Sequence, residues 1–592
     1  MKPRLRFILA VILLSASPLA HSASVHYEIS LKNRDSNRLR IKMEVRGMDA
    51  REVKVALPAW NSLYQVRDFS QFLSDLDAVG PRGSLPVELI DKQTWLVRSQ
   101  GEEFTVRYTV LTNRPGPFGA QVNETHAFLN PAQILLYLPD NRSASHTASI
   151  TDLPKNWKIV TALGKDPQNL VSESYDRLID TPIEMGTFGL RSYQQEGATI
   201  EVAIDGQLEE AQWQQILRTI GTITRQEGAM MRGFPFKRYV FIYHLTERGG
   251  GGMEHSESTA IDLRAAGVRQ DVAKALSGVT AHEFFHLWNV KRIRPVVFDG
   301  IDFSKEVHTY ALWFCEGGTS YYGAMTLSRA GLTSTARLYE DLASQIEQLQ
   351  SRPAHLKQSA AHSSWFAWFE KYPAYRSPEI SVSYYNKGLL LFWLLDLEIR
   401  NATGNRRSLD DVLRWMNHWF GDRNIGYEER DIERAVSSVS QKSFDDFFRR
   451  YVFGTDELPY ESVLGHAGLK LEKTEAEVTE PGFSVSQNFD EAPQIVEVSP
   501  ASPAEKAGLR AGDVWLRLNG QPVSRSPLSD IRKSAPASPV RMVVKRGERE
   551  VDLQFVPERK KTEKYRVSED PASNEAQKTL RALWLAGKTV GE

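Results

Sequence analysis

A single cysteine, Cys315, is all that 592 residues carry. No internal disulfide can form and no cysteine metal cluster can be assembled, so the chain must be held together by its apolar cores. Cys315 stands beside Leu312, Trp313 and Phe314, a setting for a small buried side chain rather than a nucleophile. An excess of charge is equally missing: 73 Lys and Arg face 74 Asp and Glu, a net charge of -1. No broad basic field invites nucleic acid, and no acidic tail invites a basic partner. Past the N-terminus, no apolar stretch is long enough to make a stable membrane span.

The N-terminus does have a pattern. Lys2, Arg4 and Arg6 precede the apolar run Phe7 to Leu14, and the small residues Ser15, Ala16, Ala20, Ser22 and Ala23 follow. This reads as a secretory signal peptide over residues 1–22, cleaved after the Ala20-His21-Ser22 triplet. The expectation is an exported bacterial protein, periplasmic or secreted. No cysteine follows the run to carry a lipid anchor.

Length sets the prior at about three to four domains. Residues 23–195 alternate in the strand manner, as in Val25 to Leu31, Leu39 to Val45 and Phe104 to Val110, and predict a β-rich N-terminal domain. It carries no cluster of titratable residues at ligand spacing, so its expected role is support or a cleft wall. Over 196–472 the pattern is mixed and then largely helical. A strand at Ile200 to Ile204, a helix from Glu209 to Arg225 and a buried strand at Arg238 to Leu245 lead into Gly249-Gly250-Gly251-Gly252-Met253-Glu254-His255. Those glycines let backbone approach a ligand closely, and no Lys-Ser/Thr follows to make them a phosphate loop. Residues 473–558 read as a small β module with one short helix. Residues 559–592 are a charged tail in which Asn574 to Lys588 forms an amphipathic helix able to dock on the body through Leu580, Leu583, Trp584 and Leu585.

The chemistry concentrates in His282-Glu283-Phe284-Phe285-His286. On a helix, two histidines one turn apart reach one cation together, and the Glu between them is placed to act on a water without ligating the metal. Further on, Glu316 lies in the apolar, aromatic stretch Leu312 to Tyr322, where an unpaired charge is expensive and a metal is a good partner. Ser383-Tyr384-Tyr385-Asn386-Lys387-Gly388 opens the apolar run Leu389 to Leu397. Among its aromatics, a tyrosine facing the metal from the head of a helix has catalytic use. His308, His355, His362, His418 and His466 lack ligand spacing and read as structural or surface residues.

Taken together, Gly252-Met253-Glu254-His255, the block from His282 to Pro295, Leu312 to Gly317 and Ser383 to Gly388 resemble the glycyl aminopeptidase family of zinc metallopeptidases, with a C-terminal PDZ domain. The PDZ likeness rests on Ser502-Pro503-Ala504, Ala507-Gly508-Leu509 and Gly512-Asp513. Where the family has a Pro-Gly-Ser-Tyr element, this chain has Trp60-Asn61-Ser62-Leu63-Tyr64. The resemblance implies a multidomain α+β fold: a β-rich N-terminal domain, a thermolysin-like, mostly helical catalytic domain and a PDZ-like β module. It implies one Zn²⁺ per chain held by His282, His286 and Glu316, with Glu283 as general base and Tyr385, or failing that Tyr384, stabilising the oxyanion. Glu254, with Gly252 and Met253 beside it, is the candidate for binding a substrate's free α-ammonium; a part for His255 is left open. The activity implied is removal of N-terminal residues, small ones such as Gly and Ala by preference. The partners are peptides with a free N-terminus and a peptide or protein C-terminus at the PDZ-like groove. A PDZ-assisted zinc endopeptidase is the alternative, and a non-catalytic PDZ binding protein a more distant one.

Overall fold

Alternating apolar and polar residues along Ser24–Ser30, Arg38–Arg46 and Phe104–Leu111 put every second side chain on one face. The three strands lie side by side and antiparallel, Ile29 opposite Ile41 and Ile41 opposite Tyr108. All three residues are buried, so a shared apolar face fixes the register. They form the middle of a seven-stranded sheet. The structure is a computed structural model that describes residues 23–61, 64–101, 103–368, 378–486, 492–524, 526–535 and 537–591. The expected signal peptide, Ser62 and Leu63, and the part of the aromatic loop holding Phe369, Tyr372 and Tyr375 lie outside the described residues.

A second, five-stranded sheet carries the site. Its order is Gly189–Gln195, Ala198–Asp205, Arg238–Thr246, Ser258–Arg264, Gly252–Glu254. The central strand Arg238–Thr246 runs parallel to both neighbours. A strand so placed is covered on both faces, which is why it reads as a nearly unbroken apolar run. Tyr239, Phe241 and Tyr243 pack with the helices, Phe284 meeting Tyr239 edge-on. Val240 and Ile242 pack the other way, onto Phe128, Val160 and Phe188. Phe128 and Val160 belong to a four-stranded sheet of the N-terminal domain, so the two domains share this interface. The boundary expected at 195 falls within a hairpin of the catalytic sheet, because Gly189–Gln195 pairs with Ala198–Asp205. The break in pattern near Gly197 is a turn, with φ of 80°, and not a domain junction.

Among the described residues from Gly318 to His466 the fold is helical. Leu389 to Leu397 in the helix Tyr384–Ala402 are buried all the way round, as befits a helix at the centre of a core. The chain then leaves along Leu469–Glu480, forms a small sheet around Ile495 and Trp515, and returns along Glu558–Glu569. The outgoing and returning strands pair without a break, Leu469 opposite Glu569 and Glu480 opposite Glu558. The boundaries expected at 472 and 558 both fall inside this ribbon, and residues 559–569, expected as tail, are its second strand. Their charge makes a cross-strand ladder, with Lys473 and Glu563 2.6 Å apart and Arg559 and Glu477 3.0 Å apart.

The terminal helix spans Glu575–Ala586, capped by Asn574 at its start and by Gly587 in a left-handed conformation, φ 65°, at its end. Trp584 is fully buried; its ring stacks on Trp393 at 6.3 Å and its indole N–H donates to the Tyr321 hydroxyl at 2.9 Å. The PDZ-like module is thus inserted into the helical domain, not appended to it. Among the described residues no helix is long and apolar enough to cross a membrane.

Candidate metal and peptide site

Asp271 starts the HExxH helix, Val272–Phe285, by accepting a hydrogen bond from the Lys274 N–H. The helix proper ends before His286, yet His286 keeps helical angles (φ -58°, ψ -20°) and its N–H reaches the His282 carbonyl at 3.3 Å. The one-turn spacing therefore survives. The two Nε2 atoms face each other at 3.1 Å. Glu316 Oε2 lies 3.4 Å from His282 Nε2 and 3.2 Å from His286 Nε2. His286 Nδ1 donates to the Asn289 carbonyl at 2.7 Å, which leaves the lone pair on Nε2. The Asn289 side chain donates in turn to the carbonyls of Phe314 and Cys315, at 2.9 and 3.2 Å. One buried asparagine so ties a histidine to the segment that carries Glu316. Sequence reasoning passed over it, although it stands in the same block, three residues after His286.

Glu316 sits in a π-helical turn, Trp313–Gly317, that runs into the helix Gly318–Arg329. Such turns recur at functional sites because the extra residue redirects a side chain without breaking the helix. Cys315 beside it is fully buried, and burial pushes its thiol up, so it stays protonated. A Cβ on Gly317 would lie 2.5 Å from Gly388 Cα, and one on Gly388 would lie 2.3 Å from the Trp313 carbonyl oxygen. This contact between backbones brings the first turn of Tyr384–Ala402 up to the histidines. There the Tyr385 ring stacks over His282 at 6.2 Å and 24°. Tyr384 is completely buried next to it.

The same first turn holds Lys387, whose buried Nζ donates to the carbonyls of His355 and Gln358 at 3.2 and 3.3 Å. Burial pulls its pKa down to about 8, against the opposing pull of Glu457. An amine with a folded pKa below its unfolded one costs stability while charged; between those two values the unfolded chain binds more protons, and stability rises with pH. A drop of about 2.5 units is worth about 3 kcal/mol. From about pH 8 to about pH 10.5, wild type is therefore expected to gain about 3 kcal/mol on Lys387→Met in urea denaturation. A gap that does not change with pH would contradict the buried amine.

Glu283 faces the same space. Burial, with the Glu254 and Glu316 carboxylates, pushes its pKa up to about 8 against the opposing effect of His286. A Cβ on Gly252 would lie 2.4 Å from Glu283 Cγ, so only glycine lets the edge strand Gly252–Glu254 pass this close. Ligand atoms of Glu254, Glu283 and His286 lie within 4.8 Å of one another. Strand alternation puts Gly252 and Glu254 on one face and turns Met253 to the other. Met253 was expected beside the substrate; its side chain is instead 2% exposed, and its Sδ accepts from the Asn61 amide at 3.7 Å. It is a core residue joining the two domains.

The N-terminal domain also fixes the turn after Glu254. Asp180 accepts from the Ser256 N–H at 2.9 Å, the Ser256 hydroxyl at 2.6 Å and Lys291 Nζ at 2.8 Å. Burial alone would raise its pKa, but Lys291 and His255 hold the carboxyl well below the usual range. His255 Nδ1 lies 3.3 Å from Asp180, which ties this histidine into the support of the turn. Nothing local in the sequence marks Asp180, since its partners are contributed by another domain.

The site fits a metal on its own geometry. Two imidazole nitrogens and a carboxylate oxygen converge within about 3 Å, where lone pairs repel unless a cation lies between them. Glu316 Oε2 is buried without a hydrogen bond of good geometry. A proton on His286 is the competing occupant: burial works to lower its pKa, but Glu316, Glu254 and Glu283 together raise it to about 10. Two histidines, a carboxylate and a base alongside match the donor set of catalytic zinc.

Comparison with known families places residues 26–187 in the peptidase M61 N-terminal domain, residues 275–391 in the M61 glycyl aminopeptidase domain and residues 494–546 in a PDZ domain. The chain is a peptidase, a hydrolase of peptide bonds. It carries the M61 N-terminal and M61 glycyl aminopeptidase domains in that order, together with a PDZ domain. The solved structure of an aminopeptidase N family protein from Idiomarina loihiensis superposes with a TM-score of 0.78 at 22% identity, covering 95% of this chain and 100% of that one. That likeness establishes the fold over nearly the whole length. An M1 zinc metallopeptidase from Deinococcus radiodurans matches more weakly, with a TM-score of 0.44 at 13% identity over 74% of this chain and 94% of that one. So distant a match carries no argument about the site.

Proposed function

We propose that the chain is an exported zinc aminopeptidase that removes the first residue, Gly or Ala by preference, from peptides with a free N-terminus. The observation that carries this reading is Glu254, a carboxylate on a fixed strand edge within 4.8 Å of ligand atoms of Glu283 and His286. A carboxylate so placed pairs with an α-ammonium and lets only the first peptide bond reach the base. His282, His286 and Glu316 would hold one Zn²⁺. When bound, the ion supplies Lewis acidity to the scissile carbonyl and makes a water acidic enough to attack near neutral pH. Glu283 takes the proton of the attacking water and hands it to the leaving amine, a task suited to a carboxyl group raised toward neutrality. The Tyr385 hydroxyl donates to the developing oxyanion. The preference for small residues rests on the family likeness, and export on the charged and apolar N-terminus. The PDZ module is expected to take a peptide C-terminus along a strand edge.

The test compares Gly- and Ala-p-nitroanilide with their N-acetylated forms, using zinc-loaded wild type and Glu254→Gln. Only the free amines are expected to be cut, and Glu254→Gln is expected to lose about tenfold or more in kcat/KM, the worth of one charged hydrogen bond. Equal cleavage of acetylated or internal bonds would replace this reading with the PDZ-assisted endopeptidase.

A further inference from the structure

The N-terminal domain has no titratable cluster at ligand spacing along the sequence, but the fold assembles one across the domain interface. His126 pairs with Gly186 on the neighbouring antiparallel strand, so Glu184, two residues along, shares its face. His244 meets them from the central strand of the catalytic sheet. Its cross-strand neighbours are Asp205 on one side and Asp262 on the other. His126 Nε2 lies 2.7 Å from Glu184 Oε1, and His244 Nε2 lies 3.2 Å from Glu184 Oε2. The ligand atoms of His126, Glu184 and His244 fall within 4.8 Å of one another. Side-chain exposures of His126, Glu184, His244 and Asp262 are 9, 1, 7 and 8%.

One detail goes beyond a simple His–carboxylate pair. Asp262 lies 3.1 Å from His244 Nδ1 and accepts its proton in a hydrogen bond, which orients the ring and presents Nε2 to Glu184. That is the carboxylate–histidine arrangement that supports a metal ligand from behind. His126 Nε2 and Glu184 Oε1 lie at hydrogen-bonding distance, and His126 helps hold the Glu184 carboxyl below its usual range against burial. Two buried carboxylates, Glu184 and Asp262, call for positive charge; against burial they raise the His244 pKa to about 10, so a proton on that ring and a metal ion compete to supply it.

We propose that His126, Glu184 and His244 bind a second divalent ion of the Zn²⁺ type, structural in role, that pins the N-terminal domain to the catalytic sheet. Two imidazoles and a carboxylate suit zinc and not Ca²⁺ or Mg²⁺, which take oxygen ligands. The site lies across the sheet from the HExxH helix: His244 packs on Phe128 of the N-terminal domain, with ring centroids 4.9 Å apart, while its neighbour Tyr243 packs with the helices. It is therefore walled off from substrate.

The test is metal content by inductively coupled plasma mass spectrometry, on the mature full chain loaded with Zn²⁺ and gel-filtered into metal-free buffer. Two ions per chain are expected in wild type, one in His282→Ala/His286→Ala and one in His126→Gln/His244→Gln. Chelation of the His282→Ala/His286→Ala variant should then lower its thermal midpoint by several degrees, as loss of a folded-state ligand does. No ion in that variant, whose His126 cluster is untouched, overturns the proposal and leaves a protonated His244 bridging Glu184 and Asp262. Two ions retained by His126→Gln/His244→Gln overturn it as well. One ion in both wild type and His282→Ala/His286→Ala upholds this site and sinks the catalytic-zinc reading, so the two failures are distinguishable.

Discussion

Glu283→Gln is expected to lower kcat on glycyl-p-nitroanilide by about 10²- to 10⁴-fold, the usual contribution of a positioned general base, with KM and zinc content close to wild type. The amide keeps the shape of the side chain and its contact with Gly252, but it cannot take a proton from water. Zinc content should hold because the three converging donor atoms belong to His282, His286 and Glu316. The measurement is steady-state kinetics beside metal analysis of the same preparation. A variant within tenfold of wild type, fully loaded, would remove Glu283 from the chemistry. Loss of zinc would instead make it part of the ligand set.

The largest effect on stability is expected at Trp584, more than 250 residues from the motif. Trp584→Ala should cost about 3–5 kcal/mol, the range for truncating a buried large aromatic. The substitution empties the space against Trp393 and leaves the Tyr321 hydroxyl without the indole donor it accepts from. That hydroxyl donates in turn to Asp396 at 2.8 Å, and Asp396 also receives Arg400 and the Leu409 N–H, so the damage reaches a buried polar network. Urea denaturation of the variant, read beside a chain truncated before Asn574, measures it. A loss below about 1 kcal/mol in both would show that the terminal helix is not part of the core.

What could be read from the sequence was what local spacing determines. His282, Glu283 and His286 depend on one helical turn, Glu316 on a charge stranded among aromatics, and Tyr385 on the head of an apolar helix. The strands Ser24–Ser30, Arg38–Arg46 and Phe104–Leu111 declared themselves by alternation. The failures share a cause too. A hairpin turn at Gly197 and a charged ribbon at 469–480 and 558–569 look like linkers when only composition is in view, because nothing local says that a partner strand lies on the other side. Met253 was misplaced because a short edge strand does not reveal its phase until one knows which face is covered. Asp180 and the His126, Glu184 and His244 cluster were invisible for the opposite reason: each residue is ordinary in its own segment, and only the meeting of two domains gives it partners.

The ribbon also bears on how the molecule comes apart. Glu480 and Glu558 face each other where the PDZ domain begins and ends, and each strand of the ribbon is 12 residues long. A protease that cuts once between them does not sever the enzyme. The N-terminal fragment keeps the HExxH helix and one strand, the C-terminal fragment keeps the other strand and Trp584, and the two stay clasped by backbone pairing and a buried indole. Shedding the PDZ domain takes two cuts, one on each side, and what is left behind is a nicked but closed peptidase rather than a truncated one.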